Sequence, residues 1–185
     1  KDGSEFSVDV MLSPLRGNLG PRLRKLDEGQ YDGIVLAAAG LKRLGLDARI
    51  RAVIDPDVML PAAGQGALGL EVRTDSTALR EALASLTHAP TWLAVHAERA
   101  VSRALGGSCS MPLAAWAHWQ GGTLALQARL GHPVDAAHPL HVVNVSAEVT
   151  DTAAAEALGL EAARQLRAAG GQVCLDAAAA LSAGA

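Results

Sequence analysis

The sequence predicts an α/β layer followed by a small α+β domain, and three patterns predict it. Between Pro21 and Leu44 the order is helix, strand, helix, the order of a parallel sheet with helices packed on it. From Leu60 a glycine-bearing loop runs into an apolar stretch, Ala67 to Val72, which reads as a further strand. After Leu113, three short alternating segments are followed by a long alanine-rich run, the pattern of a three-stranded sheet with helices on one face.

Each element has its own signal. Pro21 suits a first helical turn and Gly29 a helix end, which predicts a short helix over Pro21 to Glu28. Tyr31 to Ala38 is apolar and reads as a buried strand, broken by Gly40 before a second helix opens at Leu41. Thr77 to Leu86 places Leu79, Leu83 and Leu86 on one helical face. Trp92 to Leu105 reads as the next helix, with Thr91 as N-cap and Gly106-Gly107 as its end. Leu113 to Trp119 and Thr123 to Leu130 form a hairpin about Gly121-Gly122. His141 to Val149 sets Val143, Val145, Ala147 and Val149 on one face of a third strand. Ala153 to Ala169 is a long helix ending at Gly170-Gly171, and Gln172 to Leu175 reads as a strand-like segment in which Cys174 is a packing residue. Gly3-Ser4-Glu5-Phe6 matches what adjacent cloning sites encode, so residues 1–14 are set apart as an appended leader; a natural strand over Phe6 to Val10 is the other reading.

Composition narrows the function. The 185 residues are 50% apolar and 19% charged, which argues against wholesale disorder. The longest apolar runs, such as Ile34 to Ala39, are too short to span a bilayer, and no signal-peptide pattern opens the chain; a cytoplasmic chain is expected. The net charge of −3 argues against a general nucleic-acid binder. The charge is uneven, however. From Leu15 to Arg51 eight basic residues face four acidic ones, whereas the chain from Ala52 onward carries seven basic and twelve acidic residues. A local cationic surface on an acidic chain points to a small anionic ligand, although composition alone favours the plainer reading of solvated Lys and Arg on helix faces.

Three places could carry chemistry. Cys109 follows a glycine loop past a helix end, where a thiol could serve as nucleophile or attachment point; a small buried residue is the plainer reading. Leu15-Arg16-Gly17-Asn18-Leu19-Gly20-Pro21-Arg22 leaves main-chain N–H groups before a helix N-terminus, with Arg16 and Arg22 able to add bidentate contacts to carboxylates. Ala39-Gly40-Leu41-Lys42-Arg43 places two cations where a strand gives way to a helix, and ligands of open α/β sheets bind at such ends. The six histidines show no HExxH or CxxC spacing, so no metal site is expected.

Four stretches together resemble the porphobilinogen deaminase (hydroxymethylbilane synthase) family: Leu15 to Leu23; Tyr31 to Gly45; Leu60-Pro61-Ala62-Ala63-Gly64-Gln65-Gly66-Ala67-Leu68-Gly69-Leu70-Glu71; and Glu98-Arg99 through Leu105-Gly106-Gly107-Ser108-Cys109-Ser110-Met111-Pro112-Leu113. They occur in the family's order and spacing, and each is weak by itself. The resemblance implies a transferase of porphyrin and heme biosynthesis that joins four porphobilinogen molecules into a linear tetrapyrrole and releases ammonia. It implies a dipyrromethane cofactor held by a thioether from Cys109, with Arg16, Arg22 and Arg43 neutralising the carboxylates of cofactor and substrate, and Gln65 near the substrate. It also implies a periplasmic-binding-protein-like layer.

Family members are longer and have three domains. On this resemblance residues 15–60 are the end of domain 2, residues 61–76 a crossover strand belonging to domain 1, and residues 77–185 the C-terminal α+β domain carrying the cofactor cysteine. Most of domain 1, with the family's catalytic aspartate, and the start of domain 2 have no counterpart, so no catalytic residue is assigned. Ser108 stands where a second loop glycine is common and Met111 where a β-branched residue is usual. The 185-residue chain is therefore expected to be inactive alone, to lack the loaded cofactor and to self-associate through an open sheet edge, whereas the full-length enzyme is expected to be a monomer that acts on a small molecule and binds neither nucleic acid nor membrane. A non-catalytic anion-binding or regulatory module, and a thiol enzyme using Cys109 without cofactor, are the competing readings.

Overall fold

The computed structural model describes Leu15, residues 17–107 and residues 111–183. Its internal packing divides the chain into two units, between Arg51 and Ala52.

In the first unit, α1 spans Leu19–Asp27, α2 spans Ala38–Arg43, and a 3-10 turn spans Asp47–Arg49. Helix α1 starts two residues ahead of Pro21, which still lies in the first turn, where a missing N–H costs nothing. Arg24 and Lys25 sit in its last turn, where cations oppose the helix dipole. The Gly29 and Gln30 N–H groups donate to the Leu26 and Lys25 carbonyls, each at 3.0 Å, and end it. Leu23 and Leu41 are the buried leucines of the two helices. Arg49 forms an ion pair with Asp27 that ties the 3-10 turn to α1.

The strand expected over Tyr31 to Ala38 does not form. Among the described residues 31–37 join no ladder, and Ala38 already opens α2, with Gly40 inside that helix. The stretch Ala67 to Val72 likewise joins no sheet. A strand exists only where a neighbour supplies N–H and C=O groups, and all described strands of the chain lie between Leu113 and Glu148. An apolar run records the burial a segment is suited to, but its pairing depends on the neighbour.

The second unit is built on an antiparallel meander of β1 (Leu113–Gln120), β2 (Thr123–Leu130) and β3 (His141–Glu148), in the order β1-β2-β3. Gln120 pairs with Thr123 across the two-residue Gly121-Gly122 turn, the hairpin the sequence predicts. Leu124, Leu126, Ala128 and Leu130 alternate onto one fully buried face, joined there by Ala115, Ala117 and Val143. Helices α4 (Ala89–Ala104) and α5 (Thr152–Leu166) cover that face, and both contribute to one hydrophobic core with it.

Helix α4 begins three residues before the expected Trp92, because Pro90 fits its first turn; the cap position is His88 rather than Thr91, and the His88 Nδ1 lies 2.8 Å from the Thr91 Oγ1. Asp151 caps α5 through a 2.8 Å bond from the Ala154 N–H. The two helices cross at Gly159, where an added Cβ would lie 2.2 Å from the Ala97 carbonyl oxygen. Helix α3 (Thr77–Ala84) buries none of its residues, and the expected leucine face is largely open: Leu79 is 48% exposed, Leu83 half-buried, and Leu86, past the helix end, 67% exposed.

Beyond α5 the chain kinks within Arg167–Gly171, where Gly170 leaves the helical region at φ 96°, and enters α6 (Gln172–Ala183). Cys174 therefore sits on a helix and not on the strand-like segment expected from its apolar neighbours. It is fully buried. No helix among the described residues is long and apolar enough to cross a membrane.

Candidate functional site

Of the residues singled out from sequence, Arg16 and Cys109 lie outside the described residues. Arg22 and Arg43 belong to the first unit and Gln65 to the second.

Arg22 lies in α1, half-buried, with its Nε shielded from solvent and without a hydrogen-bond partner among the described residues. Arg43 is the last residue of α2 and is exposed, at the helix end rather than at a helix start. The described ion pairs are Arg49–Asp27, Arg73–Asp75, Arg103–Glu156 and Arg164–Glu161. Neither Arg22 nor Arg43 is among them. A guanidinium that is partly desolvated and has no carboxylate partner has capacity for an anionic group brought from outside.

Gln65 is exposed on a tight turn. Its N–H donates to the Ala62 carbonyl at 3.0 Å, and the Ala67 N–H donates to that of Gly64 at 3.2 Å. A buried carboxylate fixes this turn. The Glu98 Oε2 accepts the Gly64 N–H at 2.6 Å, and its Oε1 accepts the Ala117 N–H at 2.8 Å. Strand β1 is an edge of the sheet, so Glu98 takes up an N–H that β2 leaves unpaired. Burial pushes the Glu98 carboxyl above its ordinary range, and the two backbone N–H groups pull against that shift. One side chain thus holds three segments in fixed relation: the Gln65 turn, α4 and β1.

Helix α4 ends five residues before Cys109 in sequence, and backbone bonds close its end. The Gly106 N–H donates to the Arg103 carbonyl at 3.2 Å and the Gly107 N–H to the Ser102 carbonyl at 2.7 Å, with Gly106 at φ 71°. A Cβ on Gly107 would lie 2.2 Å from the Ser102 Oγ. The first position therefore needs a left-handed backbone and the second tolerates no side chain, which is the physical content of the Gly106-Gly107 pair. Met111, two residues after Cys109 in sequence, packs on the core ahead of β1. Arg167 donates to the Ala104 carbonyl at 2.9 Å, so a cation closes the helix end.

Two features went unseen in the sequence. Glu98 stands in the buried stripe Ala94, Ala97, Glu98, Val101, Leu105, so a charge at a core position of α4 was its available signal. The second is a juxtaposition that spacing along the chain does not show: His138, His141 and Cys174 bring one donor atom each to within 4.8 Å of one another. The pair His138-Pro139-Leu140-His141 has a ligand-like spacing, but Cys174 joins it only through the fold.

Comparison with known proteins gives the family. Residues 4–81 match the family model described as "Porphobilinogen deaminase, dipyromethane cofactor binding domain", a match that begins inside the stretch read above as an appended leader. Residues 92–168 match "Porphobilinogen deaminase, C-terminal domain". A porphobilinogen deaminase of Albidiferax ferrireducens is 60% identical over 161 residues, covering 87% of this chain and 51% of the relative. That of Ralstonia nicotianae is 56% identical over 158 residues (85% and 47%), and that of Thiobacillus denitrificans 48% over 168 residues (91% and 53%). The chain thus spans about half the length of the curated relatives it matches.

Proposed function

Because the chain belongs to the porphobilinogen deaminase family, we propose that the whole protein is a transferase that condenses four porphobilinogen molecules into a linear tetrapyrrole, releasing ammonia at each step. The observation that carries this reading is the pair of family matches, which together take in Arg16, Arg22, Arg43, Gln65 and Cys109. In this reading Cys109 holds a dipyrromethane through a thioether. When bound, that group supplies the terminal pyrrole from which the product is extended.

The residues present fit such a group. Dipyrromethane and porphobilinogen bear carboxylates, and Arg22 and Arg43 have no described carboxylate partner. Arg22, with its shielded Nε, orients one carboxylate; Arg43 and Arg16 neutralise others as negative charge accumulates. Glu98 holds the Gln65 turn against the helix that leads to Cys109, so that Gln65 is presented to substrate from a fixed base.

Residues 15–60 would then complete a second, periplasmic-binding-protein-like domain, residues 61–76 would cross to the first, and residues 77–185 would form the third. Val53, Ile54, Leu68 and Leu70 are 71%, 42%, 76% and 63% exposed, as suits side chains that the remainder of such layers would cover. The full-length enzyme is a cytoplasmic monomer on this reading, and the 185-residue chain self-associates and does not turn over. Intact-mass measurement tests it. Full-length protein should carry a dipyrromethane adduct that is lost in Cys109→Ser, and an unmodified Cys109 in active protein overturns the reading. Tetrapyrrole formation by the 185-residue chain alone would overturn its inactivity.

A further inference from the structure

We propose that His138, His141 and Cys174 form a site for a thiophilic divalent cation, zinc in the first instance, which clips α6 to the end of the sheet. The inference is independent of the function proposed above, since none of the three residues takes part in it.

The fold makes the juxtaposition. His141 opens β3 opposite Leu130, whose side chain is buried on the helix-covered face, so the register turns the His141 ring toward the helices. His138 lies on the connection that leads into β3, and its ring centroid is 5.6 Å from that of His141. Cys174 comes from the far side. The kink at Gly170, with φ 96°, redirects the chain between α5 and α6 and places Cys174 in the first turn of α6. A Cβ on Gly170 would lie 3.5 Å from the His141 Cε1, so this glycine also leaves space for the ring.

The donors converge. One atom from each residue lies within 4.8 Å of the other two. Ligands around a tetrahedral zinc lie about 3.3–3.6 Å apart, given metal–ligand distances of about 2.0–2.3 Å, so small side-chain rotations close the site. A thiol with two imidazoles suits zinc in softness, whereas calcium and magnesium require oxygen donors. The His141 Nε2 is shielded from solvent and has no hydrogen-bond partner among the described residues. A buried ring nitrogen in that state costs free energy, which a bound cation relieves. Cys174 is fully buried, whereas the two histidines are half-buried, so a cation can enter past the rings. Binding exchanges the thiol proton for the metal and releases it to solvent. Three protein donors leave a fourth position for a water molecule.

The test uses the untagged 185-residue chain carrying Cys109→Ser, so that Cys174 is the remaining thiol. Zinc is titrated against a chromophoric chelator, and cobalt(II) is added in parallel. The expected result is one zinc per chain and a thiolate-to-cobalt charge-transfer band. Cys174→Ala should abolish the band, and His138→Ala and His141→Ala should each weaken zinc binding at least ten-fold. His138→Ala lies on a connection outside the core, so it reads the site without threatening the fold; far-ultraviolet circular dichroism of each metal-free variant checks this. Zinc should also raise the melting temperature of the parent and leave that of Cys174→Ala unchanged. Absence of the charge-transfer band in the parent, or zinc affinity unchanged across all three variants, overturns the proposal.

Discussion

The Glu98 carboxylate takes the Gly64 N–H at 2.6 Å, and so joins residues 34 apart in sequence. The same carboxylate also satisfies the edge of β1 through Ala117. Glutamine at this position keeps one carbonyl acceptor but turns an NH2 group toward the other donor. Glu98→Gln should therefore destabilise the second unit by about 1–3 kcal/mol, the cost of a buried N–H left unpaired. Urea unfolding followed by circular dichroism measures it, and a change under about 0.5 kcal/mol would contradict the assigned role.

The pH dependence of the same residue has a definite sign. Burial sets the folded-state value above the ordinary 4.5. Between the two values the folded chain holds a proton that the unfolded chain has lost, so stability contributed by this group falls as pH rises through that window. Below the ordinary value the contribution is complete. Unfolding free energies measured from pH 4 upward, on the order of one unit per step, should slope downward relative to Glu98→Gln. A parent slope equal to that of the variant would refute the shift.

Gly107 is confined by Ser102, whose Oγ would lie 2.2 Å and whose carbonyl oxygen 2.9 Å from an added Cβ. Gly107→Ala should cost about 1–3 kcal/mol, as overpacking does. Adding Ser102→Ala should recover part of the loss, because the hydroxyl leaves and the carbonyl stays. Thermal unfolding of the two variants decides the matter, and an unimpaired single variant would show that the helix end is not tightly closed.

Arg43 is exposed and has no described ion-pair partner. Arg43→Gln should therefore change stability by no more than about 0.5 kcal/mol. In the full-length enzyme it should lower kcat/KM about ten-fold or more, the loss of one charged contact worth about 1.5–3 kcal/mol. Arg22→Gln should lower activity in the same way. An activity loss matched by a fall in melting temperature would point to a structural role instead.

The legible part of the fold was the part whose partners are close in sequence. The Gly121-Gly122 hairpin pairs Gln120 with Thr123, and local alternation suffices to read it. The third strand and the helix after it were readable for the same reason, although the Asp151 cap was not. Tyr31 to Ala38 was misread because an apolar run does not say who its neighbour is. Cys174 was misread as strand-like because the alanines after it carry no periodicity, and a new helix starts directly after the kink at Gly170. At the candidate site, the cationic bias between Leu15 and Arg51 was visible as composition. The Glu98 bonds and the histidine–cysteine cluster depend on contacts across tens of residues, which periodicity does not encode.

Helix α3 buries none of its residues, the residues just before it, 73–77, bond to one another, and helix α4 after it belongs to the core. This uneven anchoring sets an order of local opening. Limited digestion should make its first nicks between Val72 and His88, and a resistant fragment beginning near α4 should outlast everything upstream. Backbone amides of β2 should exchange with deuterium only through global unfolding, while those of α3 exchange far sooner.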